Sequence, residues 1–419
     1  MLKKYWLFLV VLSLLVLLVP SCGGGEEEKT PAPTLTHTAT PGPTPAATLT
    51  PTATPTPTPA GPVKIGVITS WSGPAAMSGL LADQIIALVE EQLKQMGGVL
   101  GGREVKFVRG DDRGVVAESV AQAKKLILED KVTALTFGGI SAAQFTAVSN
   151  VAEELKTPYV PVAGVFGVPD KKYTICIFSR EAIRARTADF IADVLKPKTV
   201  AWLSHDLEDS HVTLDGAEGV AGVRERLKAK GITIVSEQFV PQGMADLSPY
   251  LTRIKYLNPD LLISYLNDVG QTVTLNKQIM ELGGWGSMKY FSTTETGGAK
   301  AATSIPSAVG TYVGAWWLPG SDDPGMKAFE DAFKQKYGRL PTPELSYYYN
   351  CIWTAIKAIE LAGTDDRDKV AEAMRSGNLV WESAWGRLRI PTDGTAVVKG
   401  MVAQIQEGSK LVKVWPLGE

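Results

Sequence analysis

The sequence ALTFGGISAAQ, residues Ala134–Gln144, contains a short apolar run, a glycine pair and the start of a helical pattern. These features predict a β-strand, a tight turn and a helix whose N-cap is Ser141. Backbone N–H groups at such a turn are expected to lack partners, and the helix dipole favours negative charge there. We therefore expect Ile140, Ser141 and Ala142 to form a cradle for a small anion such as a carboxylate. The alternative is an ordinary strand–helix turn that binds nothing.

Strand and helix patterns alternate along most of the chain that follows residue 61. We predict strands at residues 63–69, 104–111, 134–137, 158–162, 175–178, 199–204, 233–240, 261–265, around 290, and 311–316, with short β runs between 387 and 414. We predict helices at residues 77–96, 116–129, 142–155, 182–195, 214–230, 247–257, 272–282, 324–337, 347–361 and 369–375. Repeated units of this kind imply parallel sheets with helices on both faces, here two sheets with a cleft between them.

The length, charge and cysteine content of the chain indicate how many domains it has and which partners are expected. The segment after residue 61 is longer than one core normally organises, so two domains are expected. The formal net charge is −2 and the basic residues do not cluster, which argues against a nucleic-acid partner. Cys176 and Cys351 could pair in an oxidising compartment or remain buried thiols.

Sequence motifs of cofactor and enzyme sites are missing. No zinc-ligand spacing, nucleophile elbow, P-loop or dinucleotide fingerprint occurs, so we expect neither a cofactor nor an enzyme. Residues 205–211 contain two histidines and three carboxylates, which we interpret as a solvated loop rather than a metal site. The pair Asp111-Asp112 is expected to shape a loop rather than to perform acid–base chemistry.

The N-terminus carries an export signal. Lys3 and Lys4 precede the apolar block Tyr5–Val19, and Cys22 follows a small residue, which describes a signal peptide over residues 1–22. The ending Val19-Pro20-Ser21-Cys22 resembles a bacterial lipobox, which implies a lipid on Cys22. The protein would then lie outside the cytoplasm, anchored to the bacterial cell membrane. An uncleaved membrane anchor is the alternative.

Residues 23–61 form a segment of low complexity. Three glutamates are followed by a tract rich in threonine, proline and alanine. Such a composition cannot bury a core and favours extended polyproline II structure. We predict a disordered stalk that holds the folded body away from the membrane.

Several stretches of the body occur together in a recognisable order. They are Lys64–Val67, Ser72–Ala76, Gly97–Arg103, Asp111-Asp112, Gly138–Ser141, Thr157–Val160, Leu257–Asp260 and Phe329–Gly338. Their order and spacing, over about residues 62 to 415, resemble the branched-chain amino-acid-binding (Leu/Ile/Val) family of ABC-transporter substrate-binding lipoproteins.

The resemblance implies the α/β type I periplasmic-binding-protein fold. Two Rossmann-like lobes with parallel sheets would be joined by three hinge crossings, which we place near Ser179, Ala315 and Leu388, with the ligand cleft between the lobes. Lobe 1 would contain residues 62–178 and 316–388. Lobe 2 would contain residues 179–315 and 389–419.

The same resemblance implies which loops meet the ligand. In that family the first lobe holds the α-carboxylate and α-amino groups, and the second lobe closes over them. Carried over, it gives the ligand-binding candidates Trp71, Ser78, Ile140, Ser141, Ala142, Ala163, Gly164, Val165, Phe166, Ser210, His211, Tyr265, Glu295, Trp317 and Tyr347.

Two departures from the family pattern affect the expected ligand. Ala142 and Val165 stand where the family commonly has hydroxyl residues, and a ligand ammonium left without partners would cost kilocalories. A carboxylate is therefore still expected, while an α-amino acid is doubtful. Phe166 could line an apolar pocket or pack in the core, and Glu295 could meet a ligand ammonium or pair with a hinge cation.

The sequence thus predicts an extracytoplasmic substrate-binding lipoprotein of an ABC importer. It would capture a small carboxylate, either an amino acid or an amine-free aliphatic or aromatic acid, by hinge closure. Its expected partners are the ABC permease subunits and, through the lipid, the membrane, with a monomeric body. The alternative is a ligand-sensing module that presents its bound state to a separate receptor.

Overall fold

Strands and helices alternate through the described part of the chain. The computed structural model describes residues 61–416 apart from residues 163, 165–167, 179, 218–219, 267–268, 294–304, 397 and 399. The strands are β1 (Val63–Thr69), β2 (Val105–Asp111), β3 (Ala134–Phe137), β4 (Tyr159–Pro161), β5 (Thr199–His205), β6 (Gly216–Ala217), β7 (Val220–Ala221), β8 (Thr233–Val240), β9 (Leu261–Tyr265), β10 (Lys289–Ser292), β11 (Tyr312–Ala315), β12 (Leu379–Ser383), β13 (Gly386–Ile390), β14 (Met401–Gln406) and β15 (Lys410–Trp415).

The helices occupy the longer amphipathic segments between these strands. They are α1 (Met77–Gln95), α2 (Val116–Leu128), α3 (Ala142–Glu154), α4 (Arg180–Phe190), α5 (Glu208–Asp215), α6 (Val223–Ala229), α7 (Ser248–Leu257), α8 (Val269–Glu281), α9 (Pro324–Tyr337), α10 (Pro343–Ala362) and α11 (Arg367–Met374). A π-helical turn, Ile191–Leu195, extends α4.

The first sheet is parallel and has the strand order β2-β1-β3-β4. Strand β1 is buried on both faces, because its alternate side chains belong to different cores. Val67 packs in the cluster that contains Ile85 of α1, whereas Ile68 packs in the cluster that contains Leu126 of α2. Helices α9–α11 and the hairpin β12–β13 also pack on this side of the molecule, through contacts of α10 with α1, β3 and β4.

The second sheet has the strand order β15-β14-β11-β10-β9-β5-β8. The five strands from β11 to β8 are parallel; at one edge, β14 pairs antiparallel with β11, and β15 pairs antiparallel with β14. Trp202 of β5 is fully buried and stacks on Tyr265 of β9, with ring centroids 6.5 Å apart. Two sheets built from successive βα units confirm the predicted α/β architecture.

Two predicted elements are wrong. Residues 175–178 form no strand; Ile175 and Ile177 are fully buried, but the segment contributes only isolated bridges, such as that of Cys176 with Thr395. The apolar pattern of residues 175–178 reflects the burial of their side chains and not pairing with a neighbouring strand. The predicted helix 214–230 is interrupted, since α5 ends at Gly216 (φ +91°) and the short strands β6 and β7 separate it from α6.

Arg186 of α4 lies where the chain passes between the two sheets. Its side chain is 2% exposed, and its guanidinium donates to the carbonyl oxygens of Ala315 (3.2 Å) and Thr293 (2.9 Å). It also lies over the Trp316 ring, 4.6 Å from the centroid. A Cβ at Gly314 of β11 would lie 2.5 Å from Nη2 of Arg186. This distance is too short for a side chain, so the packing of β11 on the guanidinium requires glycine at this position.

We expect Arg186→Lys to destabilise the fold by about 1–3 kcal/mol. An ammonium keeps the charge but cannot present the planar fork that reaches two carbonyl groups, and it loses the stacking on Trp316. Urea unfolding would measure the loss. Arg389→Lys is the matched control, since Arg389 is exposed on β13 and should change the stability by less than about 0.5 kcal/mol. Equal effects for the two variants would contradict the structural role of Arg186.

Candidate ligand site at the carboxyl ends of the strands

The loops after β1, β2 and β3 meet at one edge of the first sheet. The chain goes from β1 outward to β2 and then returns to β3 on the other side of β1, so the strand order reverses between β1 and β3. In open α/β sheets ligands bind in the crevice at such a switch point, outside the carboxyl ends of the strands. Ser70, Asp112 and Gly138 follow the three strands directly, so this crevice is the candidate site.

The glycine pair builds the turn after β3. Gly138 (φ +87°) and Gly139 (φ +117°) both lie in the left-handed region, and both N–H groups donate to the Ile68 carbonyl oxygen at 3.0 Å. The Ile140 N–H donates to Gln144 Oε1 at 3.2 Å. The prediction that the N–H groups of this turn lack partners is therefore wrong for these three residues, because β1 and a side chain of α3 satisfy them.

The donors without partners lie one step further along the chain. Ser141 is the N-cap of α3, as predicted, and its Oγ accepts from the Gln144 N–H at 3.3 Å. Within the described residues, the N–H groups of Ser141, Ala142 and Ala143 have no hydrogen-bond acceptor. Ser141 and Ala143 are exposed and Ala142 is half-buried. The cradle is thus formed by residues 141–143, where the first turn of a helix leaves its N–H groups available.

This cradle is held in place by Asp112 and Gln144. The sequence did not predict that these two residues belong to the site. Gln144 is 1% exposed and bonds to Ser141 through Oε1 and to the fully buried Asp112 through Nε2. The spacing Ser141-x-x-Gln144 is a capping box, which was the available sequence signal. Here the glutamine side chain reaches back to the N–H of Ile140 rather than to that of the N-cap residue.

Asp111 holds the loop after β1. Its Oδ1 accepts from the N–H groups of Trp71 (2.9 Å) and Arg113 (3.1 Å), and its Oδ2 accepts from Ser72 Oγ (2.6 Å). Burial opposes the charge, but these hydrogen bonds outweigh it and hold the pKa of Asp111 below its usual range. Both aspartates therefore shape loops, as the sequence suggested.

Trp71 and Ser78 are committed to contacts within the first lobe. The Trp71 Nε1 donates to Asp83 Oδ1 at 3.0 Å, and the guanidinium of Arg109 lies 5.8 Å from the ring centroid. The Ser78 hydroxyl donates to the Ala75 carbonyl oxygen at 2.8 Å. The Trp71 indole therefore contacts α1 and β2, and the Ser78 hydroxyl contacts its own loop. Ser141 and Ala142 remain better placed to contact a ligand.

The second-lobe candidates gather at the carboxyl ends of β5 and β9, which form the switch point of the second sheet. The Tyr265 hydroxyl donates to the Asp209 carboxylate. The His211 Nε2 lies 2.8 Å from Asp206 Oδ1, and its ring stacks on Phe239 with centroids 4.2 Å apart. Ser210 is fully buried, and its hydroxyl finds no hydrogen-bond partner in the described part of the chain.

The histidine-containing segment 205–211 is more ordered than predicted. His205 is fully buried at the end of β5, where its Nε2 is hydrogen-bonded to Gln271, and residues from Glu208 onward form α5. The prediction of a solvated loop is therefore wrong for His205 and for residues 208–211, while residues 206 and 207 do form an exposed bend. No group of three or more His, Cys, Asp or Glu side chains among the described residues is arranged to hold a metal ion.

Of the ligand-binding candidates Tyr347 and Trp317, Tyr347 lies in an aromatic cluster and Trp317 lies in the core. The Tyr347 ring contacts Trp385 (4.7 Å) and Phe178 (5.7 Å), and Phe178 also contacts Trp316 (5.3 Å). Trp317 is 3% exposed and packs edge-on against a phenylalanine of α9. Only Tyr347 keeps an exposed surface that a ligand could contact.

Several candidates lie outside the described residues. They are Cys22, Ala163, Val165, Phe166 and Glu295, as well as the proposed hinge position Ser179. Gly164 is described and buried. The thiols of Cys176 and Cys351 are both buried and form no disulfide, and burial raises the pKa of Cys351 well above its usual range.

Two sheets built mainly from parallel strands, each with a switch point at the carboxyl ends of these strands, are typical of a two-lobed ligand-binding protein. The chain belongs to the periplasmic binding protein family, whose model matches residues 62–410. It is therefore a binding protein and not an enzyme, and the family indicates an extracytoplasmic location. None of the helices in the described part of the chain combines the length and apolar character that a bilayer crossing requires.

Similar proteins share this architecture. A Leu/Ile/Val-binding protein homolog of Brucella abortus is 25% identical over 295 residues, which cover 67% of this chain and 72% of that protein. An ABC-transporter solute-binding protein of Rhodopseudomonas palustris, solved with 3,4-dihydroxybenzoic acid, has a TM-score of 0.72 at 23% identity and covers 84% of this chain and 96% of its own. A branched-chain amino-acid transporter protein of Streptococcus pneumoniae, solved with isoleucine, has a TM-score of 0.66 at 16% identity and covers 84% and 99%. These structures establish the type I periplasmic-binding-protein fold.

We expect Gly138→Ala to destabilise the protein by about 1–3 kcal/mol more than Gly97→Ala does. Both glycines have positive φ (+87° and +81°), so both variants carry the left-handed strain. A Cβ at Gly138 would lie 1.8 Å from the Tyr159 hydroxyl oxygen, whereas nothing lies within 4 Å of a Cβ at Gly97. Urea unfolding of the two variants would measure the difference. Equal losses would mean that close packing on Tyr159 does not constrain the turn.

We expect the stabilising effect of the Asp111 carboxylate to disappear at acid pH. Because its folded-state pKa is lowered, its contribution is fully present above the unfolded value of about 3.9 and is lost as the pH falls through the folded-state value. The difference in melting temperature between the wild type and Asp111→Asn should be constant from pH 7 to 5 and should shrink below pH 4. A difference that grows on acidification would contradict this assignment.

Proposed function

We propose that this protein captures a small carboxylate outside the cytoplasm and delivers it to an ABC permease. The observation that carries the proposal is the set of three N–H donors of residues 141–143 at the start of α3, beside the switch point of the first sheet. The chain belongs to the periplasmic binding protein family, and we place the first lobe's side of the ligand cleft at this crevice.

A carboxylate suits these donors better than a neutral or cationic group does. Helix α3 has 13 residues, so its aligned peptide dipoles place partial positive charge at residues 141–143. Two carboxylate oxygens can accept from these N–H groups without a cationic side chain. The half-buried position of Ala142 would exclude part of the competing water.

Two side chains favour an acid that lacks an amine. Ala142 has no hydroxyl to offer a ligand ammonium, and neither does Val165 in the loop after β4. A desolvated ammonium would therefore miss the acceptors that hydroxyl groups at positions 142 and 165 would supply, which would cost kilocalories of binding free energy. Related structures hold 3,4-dihydroxybenzoic acid in one case and isoleucine in another, so both ligand classes occur in proteins of this fold. For this chain we favour an aliphatic or aromatic acid without an amine.

Capture would proceed by closure of the two lobes over the ligand. We assign residues 62–178 and 316–388 to lobe 1, and residues 179–315 and 389–419 to lobe 2. The boundary near Leu388 is the least constrained: β13 belongs to the β12–β13 hairpin and β14 to the second sheet, which supports a crossing within residues 391–400 and would extend lobe 1 into that segment. Arg186, with its bonds to Ala315 and Thr293, would keep the crossings in register during closure.

The N-terminal segments would place this body at the membrane. A lipid on Cys22 and the proline- and threonine-rich residues 23–61 would tether it within reach of a permease. The related proteins that are named as transporter components favour this function over a module that signals to a separate receptor.

A thermal-shift panel on the purified protein, unfolded and refolded to remove bound ligand, tests the proposal. The panel contains benzoate, 3,4-dihydroxybenzoate, 4-methylpentanoate, leucine, isoleucine and phenylalanine, with benzamide and 4-methylpentanamide as uncharged controls. An acid at about 100 times its Kd should stabilise the fold by roughly 2.7 kcal/mol. We expect one or more amine-free acids to do so, while the amides do not.

Two results would contradict the proposal in different ways. Stabilisation by the amino acids alone would mean that the interpretation of Ala142 and Val165 is wrong. Stabilisation by an amide to the same extent as by its acid would mean that the site does not select the negative charge.

A further inference from the structure

A hydrogen-bond network with little access to solvent connects the candidate cradle to Asp112. The Asp112 side chain is fully buried, and Ser119 and Ser70 beside it are also fully buried. Asp112 Oδ1 accepts from Ser70 Oγ (2.7 Å) and from the Gly114 N–H (2.9 Å). Its Oδ2 accepts from Ser119 Oγ (3.0 Å) and from Gln144 Nε2 (2.9 Å). The Asp112 carboxylate is therefore contacted by four segments, namely the loops after β1 and β2 and the helices α2 and α3.

Asp112 determines which way the amide of Gln144 points. A carboxylate only accepts hydrogen bonds, so the amide nitrogen must face Asp112 and the amide oxygen must face away. The oxygen then lies 3.2 Å from the Ile140 nitrogen and 3.0 Å from Ser141 Oγ. A flipped amide would place two acceptors together at Asp112 and two donors together at Ile140.

The amide of Gln144 in turn determines what Ser141 can offer. Its hydroxyl proton is directed to Gln144 Oε1, and one lone pair accepts from the Gln144 N–H at 3.3 Å. A hydroxyl has one proton and two lone pairs, so a single lone pair remains for a ligand. In this arrangement the Ser141 side chain is an acceptor, and a carboxylate ligand must take its hydrogen bonds from the backbone N–H groups of residues 141–143.

We infer that Asp112 and Gln144 are positioning residues that set the hydrogen-bond polarity of the cradle. Asp112 orients the amide of Gln144, and Gln144 holds the N–H of Ile140 and turns the Ser141 proton inward. Carboxylate recognition then depends on backbone donors, and any donor group of the ligand meets the free lone pair of Ser141. This inference rests on the proposed function for its link to ligand, but the polarity itself is a property of the ligand-free protein.

Gly139 explains why the network has a fixed geometry. A Cβ at Gly139 would lie 2.7 Å from Gln144 Cβ and Cδ and 2.8 Å from its Nε2. The glycine therefore lets the turn after β3 lie directly on the Gln144 side chain. Any residue larger than glycine at this position would displace the Gln144 side chain or the turn.

Replacing the amide nitrogen of Gln144 by an oxygen makes the polarity depend on pH. In Gln144→Glu, the introduced carboxyl faces Asp112 without a donor unless it carries a proton, and two carboxylates in contact raise the pKa of one of them. At pH 5 the protonated acid can donate to Asp112 and accept from Ile140, as the amide does. At pH 8 a second negative charge would lie between Asp112 and the cradle.

Other titratable groups near Asp112 should not obscure this effect. Burial, the largest cause, and the charge of Asp112, a smaller one, raise the pKa of both Tyr159 and Tyr348, which therefore stay neutral between pH 5 and 8. Asp111, on the adjacent residue, is bonded to N–H groups and to Ser72, and its lowered pKa keeps it ionised in this range. Arg113 is paired with Glu118.

Unfolding in urea at pH 5 and pH 8 tests the polarity without a ligand. We expect the unfolding equilibrium constant of Gln144→Glu, relative to wild type, to be at least tenfold larger at pH 8 than at pH 5. Gln144→Met, which removes the network without adding a charge, should show the same ratio to wild type at both pH values. Gln122→Glu on α2 is the matched control for the change of amide to acid, and its ratio should also be independent of pH. A pH-independent ratio for Gln144→Glu would overturn the inference.

Titration calorimetry with 3,4-dihydroxybenzoate and with benzoate, on the same proteins, tests the link to the ligand. The affinity of Gln144→Glu for the acid that wild type binds should be at least tenfold weaker than wild type at pH 8 and within threefold at pH 5. An unchanged affinity at pH 8 would overturn the role of Gln144 in the cradle. Absence of binding by wild type would count against the proposed carboxylate function, while the urea result would still decide the polarity.

Discussion

A carboxylate that is removed from water must be matched by hydrogen-bond donors, and the first lobe is arranged around this requirement at Asp112. The donors come from the loop after β1, the loop after β2, and the helices α2 and α3, so that one side chain fixes four segments, two of them more than 30 residues away in sequence. An unmatched charge at this depth would cost several kilocalories. The position of the first turn of α3 therefore follows from the satisfaction of a buried charge, and its N–H groups are held ready before any ligand arrives.

The second lobe offers groups of the opposite character. Asp206 and Asp209 lie at the carboxyl end of β5, where His211 and the Tyr265 hydroxyl contact them. If, as proposed, an anion is held on the first lobe and the lobes close, these carboxylates would face it. A hydroxyl that donates to Asp209 and an imidazole beside Asp206 would then reduce the repulsion that the ligand meets. Under that proposal the first lobe attracts the ligand, and the second lobe limits which ligands permit closure.

The sequence predicted the elements better than it predicted the site. The strand Val63–Thr69 and the helix Pro324–Tyr337 have the expected bounds, because uninterrupted apolar periodicity ends there at turn residues. Prediction failed at 175–178, where burial was mistaken for strand pairing, and at 214–230, where a helical pattern contains glycines that the backbone uses to turn. Such choices depend on tertiary neighbours that a local pattern does not contain.

Within the site, the N-cap Ser141 was predictable from its residue type and the glycines before it. The role of Gln144 was not, because a glutamine in the first turn of a helix usually faces solvent, and its burial depends on Asp112 being 32 residues away in sequence and 2.9 Å away in space. The availability of the turn N–H groups was mispredicted for the same reason. Whether an N–H is occupied depends on which distant acceptor, here the Ile68 carbonyl, packs against it.

The aromatic cluster that contains Trp316 and Trp385 has a consequence for how this protein can be observed. Their ring centroids are 5.8 Å apart, and the cluster also includes Phe178. Phe178 and Trp316 adjoin the crossings that we propose near Ser179 and Ala315, and Arg186 lies 4.6 Å from the centroid of the Trp316 ring. Indole emission responds to neighbouring rings and to nearby charge. The chain has 10 tryptophans, and if the lobes close as proposed, the emission of Trp316 would report the change in the angle between them.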